Sequence, residues 1–500
     1  MRISRRRIDI NLEELDQIID RGRQSPLSES DGRKLKAALH AMAERLAANR
    51  STEKTRAVLK ETQTPASAQQ TENAQPRPTG HGRNSAAEFT GARKIAVCHA
   101  TLKPGDACPE CLRGKIYQQK QPATLVRIVG RPPLEATVFE MERLRCNACG
   151  QIFTAHTPPQ AAGPDKYDAT AIAMLALLKY GAGTPFHRLG RLQQQLGMPL
   201  PAATQWDLLQ AATPPLRPAW EELIRQAAQG GVLHNDDTGM RILHLAREPG
   251  DKRTGTFTSG IVSIVAGRKI ALFFTGAKHA GENLAEVLKK RARDLAPPVQ
   301  MCDALARNKP KLDGTKTLLA NCLAHGRRQF VEVVENFPAE CRHVLEALRG
   351  VYHNDAVARE QNLSAEERLR FHREHSGPLM EALHEWMQAQ FAERKTEPNS
   401  GLGKAISYLL NHWKKLTLFL AHPGVPIDNN IVERALKKAI LNRKNALFYK
   451  TLNGAAVGDL FMSLIHTCEL NGANPFDYLA ELLRHAQELK QKPSEWMPWN

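Results

Sequence analysis

The sequence has no long apolar run, few cysteines and fewer acids than bases. None of its apolar stretches approaches the ~18 residues that a membrane-spanning helix needs. The basic N-terminal segment lacks the apolar core of a secretory signal peptide. We therefore expect a protein that spans no membrane and works in the cytoplasm.

The balance of charge points to a polyanionic partner. Lys and Arg number 69 against 52 Asp and Glu, which gives a formal charge of +17. Such an excess is typical of proteins that bind nucleic acid. Hydrophobic residues make up 42% of the chain, enough to form buried cores, and 500 residues favour about three domains.

Nine cysteines are too few for a disulfide scaffold of this length, and four of them show metal-binding spacing. Two Cys-x-x-Cys pairs can bring four thiolates to one tetrahedral Zn²⁺, and a fully ligated ion of this kind is structural. Cys98 and His99 lie close by and could replace a ligand; the alternative is four unrelated buried cysteines. The predicted zinc ligands are Cys108, Cys111, Cys146 and Cys149.

The N-terminal region has a helical pattern, and a polar segment follows it. Apolar residues spaced 4-3-4 between residues 35 and 46 indicate either a short coiled coil or a small helical hairpin. They are Leu35, Leu39, Met42 and Leu46. Residues 62–88 contain no Val, Ile, Leu, Met or aromatic residue, so we expect a flexible linker there.

Residues 165–228 are predicted to be helical. The stretch "PFHRLGRLQQQLGMPLPAATQWDLLQAA" has the spacing of a helix-turn-helix, with Thr204, Gln205 and Trp206 opening the second helix. A helical hairpin without DNA contact fits the same pattern.

The periodicity changes at Gly231. The stretches "GVLHNDDTGMRILHLA" and "TFTSGIVSIVAGRKIALFFTG" predict three short strands, with a turn at "AGRK". A helix follows, then a fourth strand in "VQMCDALARN" and a fifth in "TLLANCLAHGRRQF" that continues into a helix. This order is expected for a ribonuclease-H-like α/β core.

Two aspartates occupy strand ends in that arrangement. Asp236 is predicted to end the first strand and Asp303 the fourth, and these strands are neighbours in such a core. Adjacent carboxylates repel unless cations lie between them, and oxygen ligands suit Mg²⁺ or Mn²⁺. Glu433, on a helix packed against the sheet, would complete a site for two ions.

Each acid also has a structural interpretation. Asp237 could replace Asp236 if the strand were shifted by one residue, and Asp303 could cap the segment "ALARN". Glu433 could be the third residue of a capping box headed by Asn430, or could pair with Lys437. The predicted DNA contacts are Lys437, Lys438, Arg443, Lys444, Arg327 and Arg328, which would neutralise backbone phosphates.

The chain resembles the transposases of the insertion sequence 66 family. The resemblance is carried by "HNDDTGMRIL", "MCDALARN", "NCLAHGRRQF" and "IDNNIVERALKKAILNRKNALFYKTLNGAA". It implies a DDE transposase whose three acids are Asp236, Asp303 and Glu433. It also implies a zinc-binding domain, a helical insertion and helper proteins encoded by the same element. The "DDT" run departs from the Asp-Glu-Thr associated with the family.

Cys322 and His325 resemble a Cys-x-x-His signature of several DDE groups. One Cys/His pair has too few ligands for a closed zinc site, so we expect a structural role.

The resemblance implies an enzyme that cleaves DNA at element ends and transfers the strands to target DNA. Because two ends must be brought together, we expect a homo-oligomer, and we expect it to be associated with the nucleoid. Alternatives are a resolvase-like nuclease on the same fold and an inactive DNA-binding regulator. The predicted organisation is a helical region (1–61), a linker (62–95), a zinc-ribbon-like domain (96–155), a helical DNA-binding region (156–228), a catalytic domain (229–450) with a helical insertion at about 338–420, and a helical C-terminal region (451–500).

Overall fold

The structure is a computed structural model, and the chain divides into two compact units. One comprises Met1–Thr62 and Leu134–Asn500, the other Gln63–Pro133. The coiled-coil prediction and nearly all of the predicted linker lie outside the described residues. The structure describes residues 18, 20, 28, 30–32, 55–59, 94–111, 113–120, 123–126, 128, 132–147, 149, 151–159, 165–245, 253–311 and 317–500.

Among the described residues, the helices and strands belong to the larger unit. Its strands are β1 (Arg143–Arg145), β2 (Ile152–Thr154), β3 (Val232–Gly239), β4 (Ile242–His244), β5 (Phe257–Val265), β6 (Arg268–Gly276), β7 (Val299–Cys302), β8 (Leu318–Asn321) and β9 (Tyr449–Thr451). Its helices are α1 (Thr55–Val58), α2 (Ala169–Ala176), α3 (Phe186–Gln195), α4 (Ala202–Ala227), α5 (Ala280–Leu288), α6 (Leu323–Val333), α7 (Pro338–Glu360), α8 (Ala365–His375), α9 (Gly377–Ala392), α10 (Gly401–Leu416), α11 (Asn430–Ala446), α12 (Leu452–Leu470), α13 (Pro475–Arg484) and α14 (Ala486–Gln491).

A mixed five-stranded sheet forms the centre of the larger unit. Its order is β6-β5-β3-β7-β8, antiparallel on the β6-β5-β3 side and parallel on the β3-β7-β8 side. The prediction that the first and fourth core strands are neighbours is confirmed, since β3 pairs with β7. Strands β4 and β9 pair separately.

The turn between β5 and β6 is the predicted one. Ala266 and Gly267 occupy its two central positions with φ of 48° and 80°, and Val265 pairs with Arg268 on either side. Positive φ at both positions matches the twist of a two-residue hairpin. Glycine adopts this conformation without a steric penalty.

The outer edge of β6 is covered by side chains of α12 and its C-terminal cap. Four residues of a helix rise about 6.0 Å and two residues of a strand about 6.8 Å, so every fourth helix residue meets every second strand residue. This cover satisfies main-chain groups that would otherwise leave the sheet edge open to pairing. The N–H groups of Thr275, Phe273, Ala271 and Lys269 donate to Asp459, Ser463, Thr467 and Asn471 at 2.6–3.1 Å.

The residues of the predicted helical insertion form the helices α7 to α10. Its apolar residues form a core with α6, which follows β8 directly. The insertion therefore packs beside the parallel end of the sheet. Within the described residues, no helix combines the length and apolarity needed to cross a bilayer.

The predicted strands between the two cysteine pairs are mostly absent. The described residues within 123–130 form no strand and are exposed. Within 136–146, only Arg143–Arg145 forms a strand. That strand pairs with Ile152–Thr154, so the hairpin encloses the second cysteine pair. Apolar side chains here lack a buried face, and strand propensity alone does not hold a sheet together.

The helical hairpin predicted from the stretch at residues 185–212 is formed by α3 and by α4, which continues to Ala227. Gln205, in the first turn of α4, is buried, and its Nε2 donates to the carbonyls of Phe186 and Leu200. Its amide thus joins the two helices. DNA contact by this hairpin stays a prediction.

We expect Asp459→Asn to weaken the pH dependence of folding. Burial raises the pKa of Asp459 to about 7, against an ordinary value of 3.8. The carboxyl therefore stabilises the fold most below about pH 4, and this contribution is lost as the pH rises through 7. Between pH 5 and pH 8 the wild type should lose about 1–3 kcal/mol more than the amide variant, measured by urea unfolding.

Thr467→Val is the matched control, because it removes a neighbouring contact of the same edge without a titrating group. It should lower the free energy of unfolding by about 1–2 kcal/mol to the same extent at both pH values. A wild-type pH dependence in Asp459→Asn would contradict the prediction.

Candidate active site

Asp236 lies inside β3, and the prediction that it ends the strand is wrong. The strand continues to Gly239 because β5 pairs with it antiparallel to that point, with Asp236 opposite Gly260. On the other side, the parallel pairing with β7 stops at His234 and Met301. Asp236 therefore lies just beyond the end of the parallel pairing.

Asp303 follows β7 immediately, and a buried amide joins it to Asp236. The Nδ2 group of Asn308 donates to Asp303 Oδ1 at 2.5 Å and to Asp236 Oδ1 at 3.2 Å. Asp303 also accepts the N–H of Leu305, but the interpretation of Asp303 as a helix cap is wrong, because Leu305 is the N-cap of the short turn Ala306–Asn308. The two carboxylates thus share one nitrogen at the end of the sheet.

Asn308 is itself held by side-chain amides. Its main-chain carbonyl accepts Nδ2 of Asn235 and Nε2 of Gln300, each at 2.8 Å. Gln300 also donates to Asn235 Oδ1 at 2.9 Å. All three residues are buried, where a polar group without a partner costs stability. The amides therefore fix the turn that carries Asn308.

The electrostatics of Asp236 reflect its surroundings. Burial raises its pKa to about 7, and the nearby charges of Asp303 and Asp237 act in the same direction. The main-chain N–H of Asp237 and the amide of Asn308 oppose this shift. The charges that act on Asp236 are those of neighbouring carboxylates, a condition that a bound cation would relieve.

Asp237 makes different contacts from Asp236. Its side chain is 1% exposed, with Oδ2 2.7 Å from His279 Nδ1 and Oδ1 3.6 Å from Arg307 Nη2. Successive residues of a strand point to opposite faces. It is Asp236, therefore, that the structure joins to Asp303.

The helix that carries Glu433, α11, is tied to the sheet through its N-cap, Asn429. The side chain of this fully buried residue has Oδ1 3.0 Å from His234 Nδ1, and its Nδ2 donates to Asn235 O at 3.2 Å. Its main-chain N–H donates to Cys322 Sγ at 3.2 Å. Burial lowers the pKa of His234 to about 4, so the neutral ring can donate to the amide oxygen.

The face of the sheet that bears Asp236 is the face that α11 covers. A Cβ at Gly260, opposite Asp236, would lie 3.0 Å from Leu436 and 3.2 Å from Val432. Directly paired residues of antiparallel strands point to the same side. Glu433 follows Val432 in the first turn of this helix.

The capping box proposed for Glu433 is wrong. The N-cap is Asn429, whose side chain makes no capping bond, and Asn430 instead donates to Asp428. The ion-pair contact of Glu433 is with His325 and not with Lys437.

Glu433, His325 and Cys322 bring three metal-ligating atoms together. A carboxylate oxygen, an imidazole nitrogen and the sulfur all lie within 4.8 Å of one another. Glu433 Oε1 and His325 Nδ1 are 3.8 Å apart, and neither buried atom has a hydrogen-bond partner. Burial raises the pKa of the Cys322 thiol to about 12.

The basic residues predicted to contact DNA differ in exposure. Lys438 pairs with Glu469 at 2.7 Å, and Arg443 donates to Thr238 Oγ1 and to the carbonyl of Gly239. These bonds tie α11 to α12 and to β3. Lys437 and Lys444 are exposed, and Lys438, Arg443, Arg327 and Arg328 are half-buried.

The cysteine pairs lie in turns. Cys108 N–H donates to Gly114 O in the smaller unit, and Cys146 N–H donates to Gln151 O in the larger one. Main-chain N–H groups of Arg113 and Gly114 lower the pKa of the Cys111 thiol. The shared zinc site stays a prediction.

We expect Asn308→Ala to lower the free energy of unfolding by about 1–3 kcal/mol. Without the amide, the repulsion between Asp236 and Asp303 is uncompensated and the folded-state pKa of Asp236 rises further. The loss should therefore be larger at pH 8 than at pH 5, as measured by urea unfolding.

Asn354→Ala supplies the control, because its amide binds His375 O and Ser376 Oγ in the insertion. Its loss should be the same at both pH values. An equal loss at pH 5 and pH 8 for Asn308→Ala would show that charge compensation is not its role.

Comparison with known proteins assigns the chain to a family. The sequence model of the family described as "Transposase IS66 family" matches residues 166–457, a span that includes Asp236, Asp303 and Glu433. Two proteins of Sinorhizobium fredii (strain NBRC 101917 / NGR234) are similar over most of the chain. "Uncharacterized protein y4jD" is 25% identical over 442 residues, covering 85% of this chain and 84% of the relative. "Uncharacterized protein y4hP" is 26% identical over 427 residues, covering 80% and 74%.

The resemblance inferred from the sequence is therefore confirmed. Because the matched region spans more than half of the 500 residues, the chain belongs to the IS66 family of transposases.

Proposed function

We propose that this transposase is a DDE enzyme that cleaves DNA at the ends of its element and joins them to target DNA. Asp236, Asp303 and Glu433 are the proposed acids, on a ribonuclease-H-like core. The observation that carries the proposal is the amide of Asn308, which joins acids from adjacent strands at 2.5 and 3.2 Å. The strand order and the position of α11 over the Asp236 face support the same core.

The donor atoms fit Mg²⁺ or Mn²⁺. Both ions prefer carboxylate and carbonyl oxygens, and Glu433 Oε1 and Asn308 Oδ1 are buried oxygens without hydrogen-bond partners. Asp236, Asp303 and Glu433 would hold two such ions. When bound, the ions supply charge stabilisation to the attacking and leaving oxygens of a phosphodiester.

The proposed reaction has two phosphoryl transfers. Water attacks a phosphodiester at the element end, which breaks the bond to the 3′-oxygen and leaves a free 3′-OH. That hydroxyl then attacks a phosphodiester of the target, which joins the strands and releases a target 3′-OH. The protein forms no covalent bond to DNA, so it contributes by positioning the reacting groups and by stabilising the charge of the transition state.

Preorganisation supports this role. Asn308 holds Asp236 and Asp303 together, and Asn429 fixes the start of the helix that carries Glu433. Asp236 and Asp303 therefore need little movement relative to each other when DNA arrives, which keeps the reorganisation cost of catalysis low.

Further parts of the proposal concern partners. Two element ends must be held together, so we expect a homo-oligomer, with helper proteins of the same element assisting. The α3–α4 hairpin and the predicted zinc module, with Cys108, Cys111, Cys146 and Cys149, are proposed to recognise terminal repeats.

We expect Asp303→Asn to lower Mg²⁺-dependent cleavage by at least about 10²–10³-fold while DNA binding changes little. The amide has the size of the carboxylate and can still accept the bond from Asn308, but it carries no charge. The measurement uses labelled element-end DNA with Mg²⁺, and a gel shift without metal. Retained strand transfer in this variant would remove Asp303 from the mechanism.

The products decide between the alternatives. Joined strands from the wild type indicate a transposase, cleavage without joining a resolvase-like nuclease, and binding without cleavage a regulator.

We expect the double variant Lys437→Gln/Lys444→Gln to weaken DNA binding and its salt dependence. Each lost phosphate contact should reduce the slope of log affinity against log salt by about 1. Binding is measured by fluorescence anisotropy across a salt series. The control Lys490→Gln/Lys492→Gln removes two exposed lysines near the C-terminus and should leave the slope unchanged. Equal slopes for all three proteins would exclude the first pair from the DNA interface.

A further inference from the structure

We propose that Cys322, His325 and Glu433 form a second metal site, selective for Zn²⁺, and that Zn²⁺ competes with the proposed reaction for Glu433. The second half of this inference rests on the proposed function, whereas the binding of Zn²⁺ does not. Cys322 and His325 lie at the start of α6, and Glu433 lies in the first turn of α11.

The distances fit a metal better than a hydrogen bond. Glu433 Oε1 and His325 Nδ1 are 3.8 Å apart, beyond hydrogen-bond range. Around a tetrahedral Zn²⁺, with bonds of about 2.0–2.2 Å, nitrogen and oxygen ligands stand about 3.3–3.5 Å apart. The sulfur of Cys322 completes a triangle within 4.8 Å. Three donors are therefore assembled around one point.

Both contacting atoms of His325 and Glu433 are buried without a partner. Buried polar atoms are nearly always paired, and an exception calls for an explanation such as an ion. The two side chains are 23% and 28% exposed, so solvent can reach the site. A water could then occupy the fourth position of the ion.

Two main-chain N–H groups point at the sulfur of Cys322. The main-chain N–H of Asn429 donates to Cys322 Sγ at 3.2 Å, and the N–H of His325 also points to it. Bonds of this kind orient and stabilise metal-bound sulfur. On binding, Zn²⁺ takes the place of the thiol proton, which passes to solvent.

The donor set separates this site from the one proposed for Mg²⁺. Sulfur and imidazole favour Zn²⁺, whereas Mg²⁺ favours oxygen donors such as those of Asp236 and Asp303. Glu433 is common to both sets. Zn²⁺ held by Cys322 and His325 would therefore draw the glutamate away from the ions of the proposed reaction.

Binding is tested on the full-length protein by titration with Co²⁺, which accepts the ligands of Zn²⁺ and gives a charge-transfer absorption with thiolate. We expect the wild type and Cys341→Ser to take up one more Co²⁺ with this band than Cys322→Ser or His325→Gln. Cys341 is an equally buried cysteine, in α7. His325 makes no side-chain hydrogen bond through Nδ1, so His325→Gln covers the case in which Cys322→Ser does not fold.

Equal uptake and equal spectra for all four proteins would overturn the site. So would a loss of the band in Cys341→Ser alone.

Competition is tested by adding Zn²⁺ to cleavage assays in excess Mg²⁺, with each protein compared with its own activity in Mg²⁺ alone. We expect half-inhibition of His325→Gln to need at least tenfold more Zn²⁺ than half-inhibition of the wild type. Equal sensitivity would overturn the competition. If no protein cleaves DNA, the proposed function fails, while the Co²⁺ titration still decides the site.

Discussion

The repulsion between two carboxylates at the end of one sheet organises the polar groups around it. Asp236 and Asp303 come from adjacent strands and share a single amide nitrogen. That amide is neutral, so it lessens the repulsion without removing it, and the pKa of Asp236 remains raised to about 7. The amides of Asn235 and Gln300 then hold the turn that supplies it. The remaining repulsion lowers stability at this point, and it would be relieved by the cations of the proposed function.

A second buried amide, that of Asn429, fixes the start of the helix that carries Glu433. Asn429 bonds to β3 next to Asp236 and to the sulfur that begins α6, so the first turn of α11 is fixed against both. Glu433 lies in that turn, with the apolar side of the helix packed over Gly260. Its Oε1 lies 3.8 Å from His325 Nδ1, and its ligand oxygen lies within 4.8 Å of the ligand atoms of His325 and Cys322, at the start of α6. If the proposed function and the proposed Zn²⁺ site both hold, the protein would respond to two kinds of ion through this one glutamate.

The far side of the sheet is stabilised by a different device. Polar side chains of α12 bond to the main chain of β6 at every second residue, and the strand thereby has no open edge along that length. The strands that carry the acids lie further in, where sheet neighbours on both sides hold β3 and β7. The covered edge at β6 thus stabilises the sheet in which β3 and β7 are the inner strands.

The sequence by itself determined the order of the five central strands, the two-residue turn at Ala266 and Gly267, and the family. Those features depend on periodicity, turn residues and motifs, which are local along the chain. The spacing of Asp459, Ser463, Thr467 and Asn471 at every fourth position was also visible, and could have indicated a polar stripe on α12. The sequence did not show that this stripe contacts the edge of β6.

Only the tertiary structure decided which polar groups meet. Asn308 reaches Asp236 across 72 residues of sequence, Asn429 reaches His234 across 195 and Cys322 across 107. The same packing gives Lys438 and Arg443 partners in α12 and β3. It also extends β3 to Gly239, so that Asp236 lies inside the strand. Contacts of this kind depend on how distant elements pack, because hydrogen-bond geometry is set by positions in space that no local pattern of residues records.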